Sequence, residues 1–148
     1  MDILDTSRIV VAAQCVGIGQ ACLEHAVRYA QQRETFGKPI ANHQAIQFMI
    51  ADMATQVHAS RAITMEAATL KDENMPFHTE ASMAKLLASE MCVNVSSQAI
   101  QVHGGYGYFK EAPVERLFRD ARVTTIYEGT SEVQRLVIAR HVLNQYSN

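Results

Sequence analysis

The chain has 148 residues, 48% of them hydrophobic, with a formal net charge of −2. That is enough for one ordered domain with its own core, and too balanced in charge to recruit nucleic acid or an anionic membrane by general electrostatics. Low glycine and proline content excludes a disordered chain, and abundant alanine favours helices packed at close range.

Asp5, Thr6 and Ser7 read as capping residues ahead of a helix predicted over residues 7–32. Ile9, Ala13, Val16, Leu23, Val27 and Ala30 make one stripe, widened by Val10, Ile18 and Cys22, so burial against more than one neighbour is expected. Arg8 near the helix start opposes the macrodipole and calls for an anion, either Asp5 or a ligand phosphate. Gly37 and Pro39 break the pattern. A second helix is predicted over residues 42–70, with Ile46, Ile50, Met53, Val57, Thr64 and Ala67 at intervals of three to four where they recur, and a polar turn at 71–76 ends it. The third, over 78–102, carries Ala81, Ala84, Ala88, Met91, Val95, Ala99 and Val102 at heptad-like spacing, so another helix can approach closely. After the break at His103-Gly-Gly-Tyr-Gly-Tyr108 come a short helix over 113–121, with Pro113 in its first turn, and a last helix over 131–143. The expectation is an all-α single domain: an antiparallel, up-down-up-down four-helix bundle with a short extra helix before the last.

Cys15, Cys22 and Cys92 form neither a C-x-x-C pair nor a disulfide framework, and read as small core residues in a reducing compartment. The start Met-Asp-Ile-Leu-Asp lacks a signal-peptide core, and the apolar runs read as too interrupted to cross a bilayer, so a cytoplasmic protein is expected.

The stretch Ile126-Tyr-Glu-Gly-Thr-Ser-Glu132 sets a carboxylate in a joint between helices, with glycine beside it. Thr130 or Ser131 is the N-cap and Glu132 lies in the first turn. Glu128 has two readings. One is a surface partner of Arg116, Arg119, Arg122 or the helix terminus; the other is a general base aimed from a rigid joint into a crevice, desolvated by Ile126 and Tyr127. Gly104, Gly105 and Gly107 match neither a P-loop nor G-x-G-x-x-G, so they serve as a helix C-cap or let a ligand approach the backbone. Arg33 either clamps a pyrophosphate or pairs with Glu34 or another acid. Phe36 either faces a flat ring or plugs the bundle end, and Thr35 is a cap or a ligand donor. The six histidines show no metal-ligand spacing.

Three blocks, Arg33-Glu-Thr-Phe-Gly-Lys-Pro-Ile40, Gln101-Val-His-Gly-Gly-Tyr-Gly-Tyr108 and Arg119-Asp-Ala-Arg-Val-Thr-Thr-Ile-Tyr-Glu-Gly-Thr-Ser-Glu-Val-Gln134, occur in this order, and the chain resembles the C-terminal helical domain of acyl-CoA dehydrogenases, particularly those acting on short, straight acyl chains. The resemblance implies an FAD flavoprotein, tetrameric when whole, that oxidises an acyl-CoA to its trans-2-enoyl form and passes electrons to electron-transfer flavoprotein. It makes Glu128 the base that removes the α proton while the β hydrogen leaves as hydride to flavin N5. It implies that Arg33, Thr35 and Phe36 contact FAD from a neighbouring subunit, with Gln101, Gly104 and Gly105 as a second such contact. Thr130 and Glu132 touch the cofactor's adenosine or pyrophosphate end, Arg8 approaches the substrate near the thioester and CoA, and Tyr127 and Gly129 border the acyl site. Relatives of this type also carry an N-terminal helical domain and a middle β-domain, whose sequences are absent here, so the isolated chain is expected to be inactive. A eukaryotic parent would place it in the mitochondrial matrix. A non-catalytic oligomerisation module and an oxygen-using acyl-CoA oxidase stand as the alternatives.

Overall fold

The computed structural model describes residues 2–147. Its elements are helix α1 (Asp2–Gln32), a hairpin of β1 (Glu34–Thr35) and β2 (Lys38–Pro39), a 3₁₀ turn at Ile40–Asn42, α2 (Gln44–Asp72), α3 (His78–His103), a second 3₁₀ turn at Gly104–Tyr108, α4 (Pro113–Val123) and α5 (Ser131–Gln145). The all-α bundle of four major helices, with a short one before the last, is the expected class. α3 is its axis and packs against each of the other four helices, most extensively α1.

Polar and aromatic contacts give the helix directions. Asp5 meets His78 at one end and Tyr29 stacks on His103 at the other, so α1 and α3 run the same way, with α2 returning between them. α4 then comes back down the bundle, from Gly107 packed on Ile100 to Tyr127, which reaches Gln14 just past its end. The first two turns of α5 rise along α3, with Gly129 at Lys85 and Arg135 at Glu90.

The predicted α3 stripe is buried in full, and Met53, Val57, Thr64 and Ala67 of α2 face it. In α1 the stripe is corrected: Ala13 is exposed and Val10 is 63% exposed, whereas Ala12, Cys15, Cys22, Ala26 and Ala30 are wholly buried. α1 also starts earlier than predicted, so Asp5, Thr6 and Ser7 lie inside it and do not cap it. Within its segment Ile3–Gln32 an 18-residue stretch reaches a mean hydropathy of 1.3, so by length and composition the helix is apolar enough to cross a bilayer, contrary to the reading of interrupted runs. Here its most deeply buried residues supply the contacts with α2 and α3. Gly19 marks a close approach among these contacts, since a Cβ there would lie 2.8 Å from Met91 Sδ and 3.2 Å from Val57 Cγ2. The three cysteines are free and buried, as expected.

Phe36 and Gly37 form the hairpin turn with φ of 52° and 76°, both left-handed as a two-residue primed turn requires. The ladder pairs Glu34 with Pro39 and Thr35 with Lys38.

Candidate active site

Between α4 and α5 the chain makes a sharp joint. Glu128 has φ of 53° and Gly129 φ of 90°. A left-handed glutamate costs about 1–2 kcal/mol, and persists only where surrounding bonds over-determine it. Three do so here. The Gln134 side-chain amide donates to the Glu128 carbonyl at 3.1 Å and the Gly129 carbonyl at 3.0 Å, and Lys85 Nζ donates to the Gly129 carbonyl at 2.7 Å. Both Lys85 and Gln134 are wholly buried. α5 then starts on Thr130, whose hydroxyl accepts from the Val133 amide at 3.4 Å as the expected N-cap.

The half-buried Glu128 carboxylate reaches back to α1, where its Oε2 accepts from Ser7 Oγ at 2.7 Å. That hydroxyl also stands 2.9 Å from the Leu4 carbonyl. With one proton it donates to Glu128 when the carboxylate is ionised. When the carboxyl is protonated, Ser7 turns to Leu4 and accepts from Glu128, so the tether serves both states. The arginine reading of Glu128 is not what the fold adopts: Arg119 pairs with Glu115 at 2.6 Å and Arg122 donates to the Thr125 hydroxyl. Nor does Ile126 cover the carboxylate, being 52% exposed. Tyr127 is half-buried, donates its hydroxyl to Gln14 Oε1 at 2.7 Å, and has its phenol pKa raised by burial.

Arg8 finds its anion in Asp5 at 2.7 Å and donates to Ser82 Oγ at 3.2 Å, while the other Asp5 oxygen meets His78 Nδ1 at 2.8 Å. Of the two sequence readings, the Asp5 partner is the one seen, yet Arg8 Nε is buried with no partner. Glu132 is exposed in the first turn of α5, where its own backbone N–H and the Thr130 hydroxyl hold its carboxyl below the usual range.

A second cluster lies at the opposite end of the bundle. Arg33, Thr35, Gln101, Gly104 and Gly105 line one cavity of about 440 Å³ together with Tyr29 and His103. Phe36 stands outside it at the hairpin tip, 96% exposed, with its ring edge-on to His43 at 6.1 Å. It does not plug the bundle end. Among the described residues Arg33 makes no ion pair, Glu34 included, and Thr35 Oγ1 lies 3.0 Å from His43 Nε2. Gly104 is the C-cap of α3 with φ of 58°, and a Cβ on either it or Gly105 would meet nothing within 4 Å. An uncommitted guanidinium, open backbone at two glycines and a bare aromatic face suit an anionic, aromatic ligand, and FAD fits that description. His103 is buried beneath, its Nδ1 2.8 Å from the Ala99 carbonyl and its pKa lowered by burial.

The sixteen residue steps of α3 from Lys85 to Gln101 put roughly 24 Å between the joint and this cavity. The sequence-predicted set therefore divides, with Glu128, Tyr127, Gly129, Thr130, Glu132 and Arg8 at one end and Arg33, Thr35, Phe36, Gln101, Gly104 and Gly105 at the other. Lys85, Gln134 and the Ser7 contact escaped the sequence reading. Lys85 had a signal: a lysine between Ala84 and Ala88, on a face otherwise built of small apolar residues.

Fold and site together define a helical domain that presents a carboxylate from a locked joint and keeps an anion-ready cavity at its far end. Residues 1–143 match the family model described as acyl-CoA dehydrogenase, C-terminal domain, and the chain belongs to that family. It is 55% identical over 146 residues to the mitochondrial short-chain specific acyl-CoA dehydrogenase of Bos taurus, covering 99% of this chain and 35% of that protein. It is 51% identical to the caffeyl-CoA reductase-Etf complex subunit CarC of Acetobacterium woodii, covering 98% of this chain and 38% of that one. The structure of butyryl-CoA dehydrogenase from Megasphaera elsdenii superposes with a TM-score of 0.94 at 48% identity, over 95% of this chain and 37% of that one. The chain thus spans little more than a third of the length of these relatives.

Proposed function

We propose that this chain supplies the catalytic base and part of the cofactor site for the FAD-dependent oxidation of a short-chain acyl-CoA to its trans-2-enoyl-CoA. The observation that carries the reading is Glu128 itself, half-buried, locked in a left-handed joint and tethered to Ser7 at 2.7 Å. A thioester α proton is weakly acidic, so its removal needs a base whose position is fixed before the substrate arrives. The Glu128 carboxylate takes that proton, and the Ser7 hydroxyl, by exchanging donor and acceptor roles, keeps the side chain in place as it becomes neutral. The Glu128 backbone N–H donates to no backbone carbonyl among the described residues, which leaves it for the thioester oxygen as charge builds there. FAD, when bound, supplies the acceptor for the hydride that leaves the β carbon.

Arg8, whose Nε is a buried donor without a partner, approaches the substrate near the thioester and CoA, and Tyr127 and Gly129 border the acyl group. At the far end, Arg33 holds the cofactor's pyrophosphate, Thr35, Gln101, Gly104 and Gly105 approach its backbone, and Phe36 packs on a ring. Thr130 and Glu132 serve the FAD at the joint. The separation of about 24 Å supports assigning the Arg33 cavity to the FAD of another copy, and with it a homo-oligomer. Electron-transfer flavoprotein is the proposed acceptor, and the relative CarC is named for an Etf complex. A mitochondrial relative and three buried free thiols agree with a reducing compartment such as cytoplasm or matrix.

The test is Glu128→Gln in the FAD-loaded holoenzyme. The expected outcome is loss of solvent deuterium exchange at the substrate α carbon by at least about 10³-fold, with FAD still bound. Exchange retained at the wild-type rate refutes the assignment.

A further inference from the structure

Two wholly buried polar side chains take no part in the proton transfer described above, yet both end on the joint. Lys85 reaches from the middle of α3 and Gln134 from the second turn of α5, and their donors converge on two consecutive carbonyls, those of Glu128 and Gly129. The left-handed backbone turns these carbonyls inward. Neither side chain is needed to start α5, which Thr130 already caps. A lysine with no exposed surface is costly to bury, and one short bond to a neutral carbonyl does not match its charge.

We propose that Lys85 and Gln134 are positioning residues that lock the Glu128–Gly129 backbone and so fix the aim of the Glu128 carboxylate. The proposal rests on Glu128 being the base. Gln134 is a neutral clamp: its one amide group grips both carbonyls, and it has room only because Gly129 lacks a Cβ, which would stand 2.7 Å from its nitrogen. Lys85 acts through its bond of 2.7 Å to the Gly129 carbonyl. The charged or titratable groups around it are Arg8 and Cys15 from α1, Glu128 from the joint and Glu132 from α5. Burial is the main influence lowering its pKa and Arg8 adds to it, while Cys15 and the two acids oppose them.

The test is made in the FAD-loaded holoenzyme, with kcat and KM measured separately. Lys85→Met keeps the length and removes the donor. It is expected to lower kcat about 10- to 100-fold with little change in KM, as for a misaimed base. Gln134→Met is expected to lower kcat in the same way. Lys85→Gln, which retains a donor, should recover part of kcat. A purely structural role would lower stability and leave kcat of the folded, FAD-loaded protein unchanged. A folded, FAD-loaded Lys85→Met protein with wild-type kcat overturns the proposal. If neither Lys85 variant folds, Gln134→Met decides alone, and an unchanged kcat overturns the clamp. Glu128→Gln run alongside separates the two readings: retained α-proton exchange there removes the base assignment, whereas exchange lost there but intact in the clamp variants removes only the clamp.

Discussion

Three glycines in this chain separate backbone strain from steric exclusion, and substituting each with alanine measures the lock on the Glu128 joint. Gly129 has φ of 90°, and an added Cβ would lie 2.7 Å from the Gln134 amide nitrogen. Gly37 has φ of 76° with nothing within 4 Å, and Gly105 has neither constraint. Gly105→Ala should therefore stay within about 0.5 kcal/mol of wild type. Gly37→Ala should destabilise by about 1–2 kcal/mol, the cost of holding a Cβ in the left-handed region. Gly129→Ala carries the same strain, and also displaces Gln134 from bonds of 3.1 and 3.0 Å, leaving buried carbonyls short of a donor. That adds about 1–3 kcal/mol, for a total of about 2–5 kcal/mol. Chemical denaturation of the chain, with the midpoint read at constant m-value, measures all three. If Gly129→Ala costs no more than Gly37→Ala, the amide does not occupy the space assigned to it, and Gln134 does not lock Glu128.

Two further predictions concern the core. His103 is buried with a lowered pKa, so the unfolded chain takes up its proton first as pH falls below about 6.5. Stability should then decline from that pH down to the lowered folded value, and His103→Phe should flatten the decline in denaturation midpoints between about pH 7 and about pH 5; an unchanged slope refutes it. On α1, Gly17→Ala enters open space and should stabilise by about 0.5–1 kcal/mol through helix propensity, since nothing lies within 4 Å of its Cβ. Gly19→Val drives into Met91 and Val57 and should cost about 1–3 kcal/mol. Equal thermal midpoints for the two variants would contradict the close approach of the three helices.

How far each feature could be read in advance follows the range of the interaction behind it. Pro113 in the first turn of α4, Thr130 capping α5 and Gly104 ending α3 were legible, because caps and breakers act within a few residues of themselves. The small-residue stripe of α3 was legible for the same reason, its spacing being a property of one helix. Asp5 and Ser7 were misread as caps because acid and hydroxyl groups suit both a helix start and a polar partner across the bundle.

The amino-acid sequence alone determined the all-α class, the helix boundaries to within a few residues apart from the start of α1, the family, and the candidate list with Glu128 at its head. Only the tertiary structure decided which of those candidates stand together: Ser7 against Glu128 across 121 positions, Lys85 against Gly129 across 44, and the Arg33 cavity at the far end. Helical periodicity and capping are set by neighbours within a turn or two. A buried lysine's choice of one carbonyl is set by how the surrounding helices pack, and no local pattern contains that information.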